Sequence, residues 1–226
     1  MFKDRYNYKL NGIEHEIILN NNIKIDMKPI DEKILISNKF MLKYINDLFD
    51  YYNIEYFIIN NVLLGSYVFK GVNIFQKNLE LATLSINLHK IKKIEEDLKN
   101  DDFQISYDNN NNYIKITTTF LKKYKTSIYI YFVNHNSNDD TISYKLYNNV
   151  DINHKFYDIY PIKKEKFEEY TISVPNKIEN VLLSYNFNLN YIVFSNKKDE
   201  TQHIIEENPD KTYYEKFISI IKPYLF

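Results

Sequence analysis

The sequence predicts a mixed α/β domain, with helices on the faces of a central sheet. Three observations lead there. Three apolar runs rich in β-branched and aromatic residues, Tyr56–Asn61, Asn78–Ile86 and Ser127–Val133, read as buried strands. Before and between them lie segments of helical period. In SNKFMLKYINDLFDYYN the apolar residues Phe40, Met41, Tyr44, Ile45, Leu48, Phe49 and Tyr52 share a face, and in LHKIKKIEEDLKN so do Leu88, Ile91, Ile94 and Leu98. The third is size: 226 residues at 44% hydrophobic content can bury one sizeable core.

In order along the chain, residues 1–12 are polar and read as frayed. GIEHEIILNNNIKIDM reads as a hairpin, Glu14–Leu19 against Ile23–Met27 across an asparagine-rich turn. Ser37 is placed to N-cap the first helix and Asn53 to end it. After the strand YFIIN, VLLGSYVFK makes about two helical turns that Gly71 can close. NLELATLSI is the next strand and LHKIKKIEEDLKN a helix. DFQISYD and YIKITTTF then flank Asn109–Asn112 as a hairpin. TSIYIYFVNH is apolar on both faces and therefore central. TISYKLYN reads as a further strand, and IENVLLSYNF as a short helix after Pro175-Asn176. The tail, 191–226, offers YIVF and a terminal helix, TYYEKFISIIKPYL, interrupted by Pro223. No internal repeat or linker interrupts 1–226, so one domain is expected.

Composition excludes several functions. The net charge is −1, from 29 basic and 30 acidic residues, so a nucleic-acid carrier is not expected. Arg5 is the only arginine, and any phosphate site must rely on lysine, backbone N–H groups or a metal. The absence of cysteine removes disulfides, thiolate-ligated zinc and thiol catalysis. His15, His89, His135, His154 and His203 are scattered and read as surface residues. No run of signal-peptide or membrane length opens the chain, and no Asn-x-Ser/Thr acceptor occurs. A cytoplasmic location is expected, without a membrane span. The Asn/Lys/Ile/Tyr bias, with 22 tyrosines, fits an AT-rich genome.

The stretch from Tyr56 to Ile86 organises the rest. It reads as strand, short helix carrying Gly65-Ser66, loop and strand. On that second strand Asn78 and Glu80 are two apart and share a face. Gly65-Ser66 is open to two readings, an ordinary turn or helix start and a phosphate-holding turn. Glu80 likewise reads as a solvated strand acid or as a ligand.

The segment LLGSYVFKGVNIFQKNLELA resembles the LicD/fukutin family of phosphotransferases, which have a nucleotidyltransferase fold. The similarity rests on Leu63, Leu64, Gly65, Tyr67, Lys77, Leu79 and Leu81. The preceding YYNIEYFIINNVLL is similar to the helix and strand that lead into the family's turn. DIYPIKKEKFEEYTISVPNKIENVLLSYNF resembles its closing signature through Asp158, Pro161, Phe167, Val174, Pro175, Leu182, Leu183 and Tyr185, with Asn186 in place of the usual Gly. The resemblance covers about 36–190.

The resemblance implies a nucleotidyltransferase-like mixed sheet, with phosphate at Gly65, Ser66 and Lys77. In active members carboxylates from two neighbouring strands hold Mg²⁺ or Mn²⁺ on the pyrophosphate of a CDP-activated alcohol such as ribitol or choline. A sugar hydroxyl then takes the phospho-alcohol. The carboxylate positions fall here on Asn78, Glu80 and Tyr129, and the family's Arg after the turn falls on Val68. One carboxylate cannot supply the charge of three. The expectation is therefore a catalytically inactive member, without a cofactor or bound metal, that binds or modulates an active homologue or a host enzyme. The alternative is an active transferase that moves ribitol phosphate or phosphocholine from a CDP-linked donor to a glycan, with Glu80 as its metal ligand. A third reading, a nucleotidyltransferase acting on nucleic acid, shares the Gly-Ser turn but lacks the acids and the positive charge.

Overall fold

The computed structural model describes residues 3–10, 13–20, 30, 32–73, 78–101, 103–110, 112–118, 125–185, 192–195 and 202–205. The chain gathers into two compact units, one of residues 1–28 with 186–226, the other of residues 29–185.

In the first unit β1 (Lys3–Leu10) pairs antiparallel with β2 (Ile13–Asn20) along its whole length. The frayed start expected of 1–12 is thus a strand from Lys3 on, because RYNYKL and IEHEIIL can satisfy each other's backbone. The second strand expected at Ile23–Met27 lies outside the described residues.

The second unit opens with α1 (Glu32–Tyr51). Ser37 does not cap this helix, which starts five residues earlier; it is a buried interior residue. Asn53 closes α1 as expected. It sits at φ 51°, and the Ile54 N–H reaches back to the Phe49 carbonyl at 2.8 Å. Next come β3 (Phe57–Ile58), α2 (Asn60–Phe69) and β4 (Asn78–Leu84). Lys70, at φ 53°, supplies the left-handed cap of α2 that the sequence suggested for Gly71.

LHKIKKIEEDLKN is two short helices, α3 (Leu88–Lys93) and α4 (Glu95–Asn100), broken where Ile94 leaves helical geometry at ψ 1°. Its expected inner residues Ile91, Ile94 and Leu98 are buried nonetheless. The strands β5 (Phe103–Tyr107), β6 (Tyr113–Thr118), β7 (Ser127–Asn136), β8 (Thr141–Lys145) and β9 (Asp151–Lys155) follow. α5 (Phe156–Ile159), the hairpin of β10 (Lys163–Phe167) with β11 (Tyr170–Val174), and α6 (Ile178–Ser184) complete the unit.

Seven strands form one mixed sheet, in the order β3-β4-β7-β6-β5, with β8 on the far part of β7 and β9 on β8. β4 and β7 run parallel at its centre, and the remaining pairs are antiparallel. The three strands expected to share a sheet, β3, β4 and β7, are adjacent in it. One face carries Leu79, Leu81, Ile128, Ile130, Ile114 and Ile116, all buried. α1 packs on β4 and β7 there, and α4 on β5, with the Tyr44 ring 4.8 Å from Phe103. The opposite face is the polar and aromatic one.

Back in the first unit, β12 (Ile192–Ser195) pairs with β13 (Gln202–Ile205). In the tail 191–226, expected to be helical, Ile192–Ser195 and Gln202–Ile205 are instead an antiparallel strand pair. TYYEKFISIIKPYL lies outside the described residues. Among the described residues no helix is long and apolar enough to cross a membrane.

Candidate functional site

Side chains of paired residues in adjacent strands point to the same face. The parallel register sets Asn78 beside Ser127 and Glu80 beside Tyr129. Asn78, Glu80 and Tyr129 therefore share the polar face, as the alternation in NLE and SIYIY predicts. β6 extends that face with Tyr113 and Lys115, opposite Tyr131 and Tyr129.

Glu80 is buried at 4% exposure. A buried carboxylate must be hydrogen-bonded to persist. Asn60, the first residue of α2, donates Nδ2–H to Oε2 at 2.9 Å. The Tyr131 hydroxyl donates to Oε1 at 3.3 Å. Burial, with Glu80 beside it, pushes the Tyr131 phenol well above its ordinary range, so it keeps its proton and remains a donor. Glu80 is thus an interior acceptor, not a solvated strand acid.

Behind Tyr131, at 6.1 Å between ring centroids, lies Tyr144 of β8. Its hydroxyl meets that of Tyr185 in a short contact and His154 Nε2 at 3.1 Å. His154 Nδ1 meets Ser184 Oγ at 3.1 Å, and Ser184 Oγ also lies 2.7 Å from the Val181 carbonyl. The carbonyl can only accept, so the Ser184 proton goes there. Nδ1 must then carry the imidazole proton, and Nε2 accepts from Tyr144. Burial holds His154 down to about 4, while Asp158 opposes this weakly. His154 is an interior residue, not the surface histidine expected, because β8 and β9 fold it under α6.

Tyr129 is half-buried in a stack of rings. Its centroid lies 5.1 Å from Tyr147, 5.7 Å from Tyr113 and 6.4 Å from Tyr131, and Lys115 Nζ stands 5.5 Å from it. Asn78 lines a crevice with Asn61, Val62, Val72 and Asn73 that is too tight for a water molecule.

Gly65 and Ser66 lie in the middle of α2, where their backbone N–H groups belong to the helix. They form no turn, and Ser66 is buried with no partner for its Oγ among the described residues. Gly65 serves close approach: a Cβ there would stand 2.7 Å from both the Asn73 nitrogen and the Gly71 oxygen. The loop of Asn73 thereby links Gly65 to the Asn78 crevice. Lys77 lies outside the described residues.

The structure therefore brings Asn78, Glu80 and Tyr129 onto one face, with Gly65 one loop away. Sequence reading missed Asn60, Tyr131, Tyr144, His154 and Tyr185. Tyr131 carried a signal in its two-residue spacing from Tyr129, and Tyr185 only as part of the closing segment, not as a site residue. Among the described residues no three His, Asp or Glu side chains gather as metal ligands. No protein-family model and no curated protein matches this sequence.

Proposed function

We propose that residues 29–185 form a nucleotidyltransferase-like domain of LicD/fukutin type whose metal position has closed, and that it acts as a binding or regulatory module toward an active homologue or host enzyme. One observation carries this reading. The single carboxylate among the three expected acid positions, Glu80, is engaged on both oxygens by Asn60 and Tyr131. Its register neighbour is the ring of Tyr129, held in an aromatic stack. A hard divalent cation needs several anionic or carbonyl oxygens at close range. One carboxylate already hydrogen-bonded twice does not fit it.

The test is titration of Mn²⁺ followed by electron paramagnetic resonance. Wild-type protein should leave Mn²⁺ free at millimolar concentration. Asn78→Asp with Tyr129→Asp, built around Glu80→Asp, should acquire saturable binding, because the three positions share one face. Tight Mn²⁺ binding by the wild type would overturn the reading. So would phospho-alcohol transfer from CDP-ribitol or CDP-choline that Glu80→Ala abolishes, and that result would favour the active transferase.

A further inference from the structure

On the other side of the sheet, α1 and α4 border an open cleft of about 520 Å³. Its walls are the rings of Tyr44, Tyr51 and Tyr52 and the carboxylates of Asp47, Asp97 and Asp101. Lys43 pairs with Asp47 at 2.6 Å, and among the described residues no Lys, Arg or His lines the cleft beside Asp97 and Asp101. Asp97 accepts from the Tyr52 hydroxyl and Asp101 from that of Tyr44, each through Oδ2. Oδ1 of both remains without a hydrogen-bond partner among the described residues. The hydrogen bond to Asp97 pushes the Tyr52 phenol up, and burial with the neighbouring Asp101 does the same to Tyr44. Both rings therefore stay neutral beside the carboxylates. Tyr51 and Tyr52 stand edge to face at 5.0 Å, and Tyr51 is 79% exposed.

The cleft does not end at the acids. Along α1 the ring of Phe40 stacks on Tyr44 at 6.1 Å, with Ile36 one turn beyond it. Both are about half exposed and lie on the same side of α1 as Tyr44. Free carboxylate oxygens next to open tyrosine faces match a planar cation better than a point charge. A guanidinium can take carboxylate oxygens on its edge and an aromatic ring on its face. The adjoining apolar strip suits the neighbours of such a residue in a chain.

We propose that this cleft docks an apolar segment of a partner protein through an arginine, its guanidinium on Asp97 and Asp101 against Tyr51 and its flanking residues on Phe40 and Ile36. The probe is the peptide acetyl-Leu-Arg-Leu-amide, titrated into ¹⁵N-labelled protein, with the same peptide carrying citrulline or lysine. The arginine peptide should shift α1 and α4 resonances saturably, and more weakly at high salt. Asp97→Asn with Asp101→Asn should weaken it by about tenfold or more. Tyr51→Ala, at a position exposed enough to leave the fold intact, should weaken it by about threefold. The citrulline peptide should not bind. Binding of citrulline or lysine as tight as arginine overturns the proposal, as does an arginine peptide that fails to saturate these resonances, or unchanged affinity in Tyr51→Ala.

Discussion

Removing only the hydroxyl of Tyr131 leaves its ring in place and takes away a donor from Glu80 Oε1. A buried carboxylate that loses a hydrogen-bond donor is destabilised by about 1–3 kcal/mol. Tyr131→Phe should lower the urea unfolding free energy by that amount. In a Glu80→Gln background, where no charge is left stranded, the same change should do less, and equal losses in both backgrounds would sever the pair. His154 makes the second test, through pH. Its folded value, about 4, lies below the ordinary 6.5. At pH 7.5 it is neutral whether folded or unfolded. As pH falls through 6.5 the unfolded chain takes up the proton and the folded chain does not until about 4. Stability is lost across that window, by roughly 3 kcal/mol at its end. Denaturant curves at pH 7.5 and 5 should show His154→Gln losing less than the wild type. Little of this network was legible. Glu80 and Tyr129 were, since alternation on two strands sets their faces. Its other members come from α2, β7, β8, β9 and the end of α6, and only the fold decides which tyrosine meets which histidine.

At the scale of elements, α2 shows where local chemistry misleads. Gly71 looked like the helix stop because glycine accepts φ > 0 freely, yet Lys70 holds the left-handed position. Gly71 is small for another reason: a Cβ there would meet the Glu168 carboxylate at 3.0 Å, where the β10–β11 turn packs on the loop. An L-residue in that conformation is disfavoured by about 1–2 kcal/mol, and the extra freedom of an unfolded glycine offsets roughly half. Lys70→Gly should therefore raise stability by about 0.5 kcal/mol. Gly65→Ala, pressed against backbone at 2.7 Å, should lower it by about 1–3 kcal/mol. Urea midpoints separate the two in sign. The central strands were legible because burial on both faces demands unbroken apolar runs, and YFIIN, NLELATLSI and SIYIYFV are such runs. The start of α1 was not. Ser37 has the chemistry of a cap, but burial of Leu35 two residues earlier extends the helix past it and leaves its Oγ without a partner among the described residues. Nor was the break at Ile94, since its side chain keeps the helical period while its backbone departs from it.

The whole-molecule question is which residues make up the cooperative unit. Composition argued for one core in 226 residues, and it could not say where that core ends. Within 29–185 the buried apolar side chains run from Leu35 to Leu182, the whole length of the unit. Every strand of the seven-stranded sheet falls inside 29–185, as do all six α-helices among the described residues. The backbone of each sheet strand is paired by another strand of the same unit, so cutting at 28 and 185 breaks no ladder. The size, 157 residues counted from 29 to 185, is ample for an independent core. Residues 29–185 expressed alone should fold. The chain has no tryptophan, so tyrosine fluorescence and far-ultraviolet circular dichroism are the probes. Their urea transitions should coincide, with a slope of about 1–3 kcal/mol per molar. The fragment should also keep the acid-linked loss of stability set by His154, whose partners Tyr144, Ser184 and Tyr185 all lie within it. A cooperative transition that lacks this pH dependence would show a sheet that forms without its buried tyrosine–histidine network. A broad transition differing between the probes would show that the remaining segments are needed to complete the core.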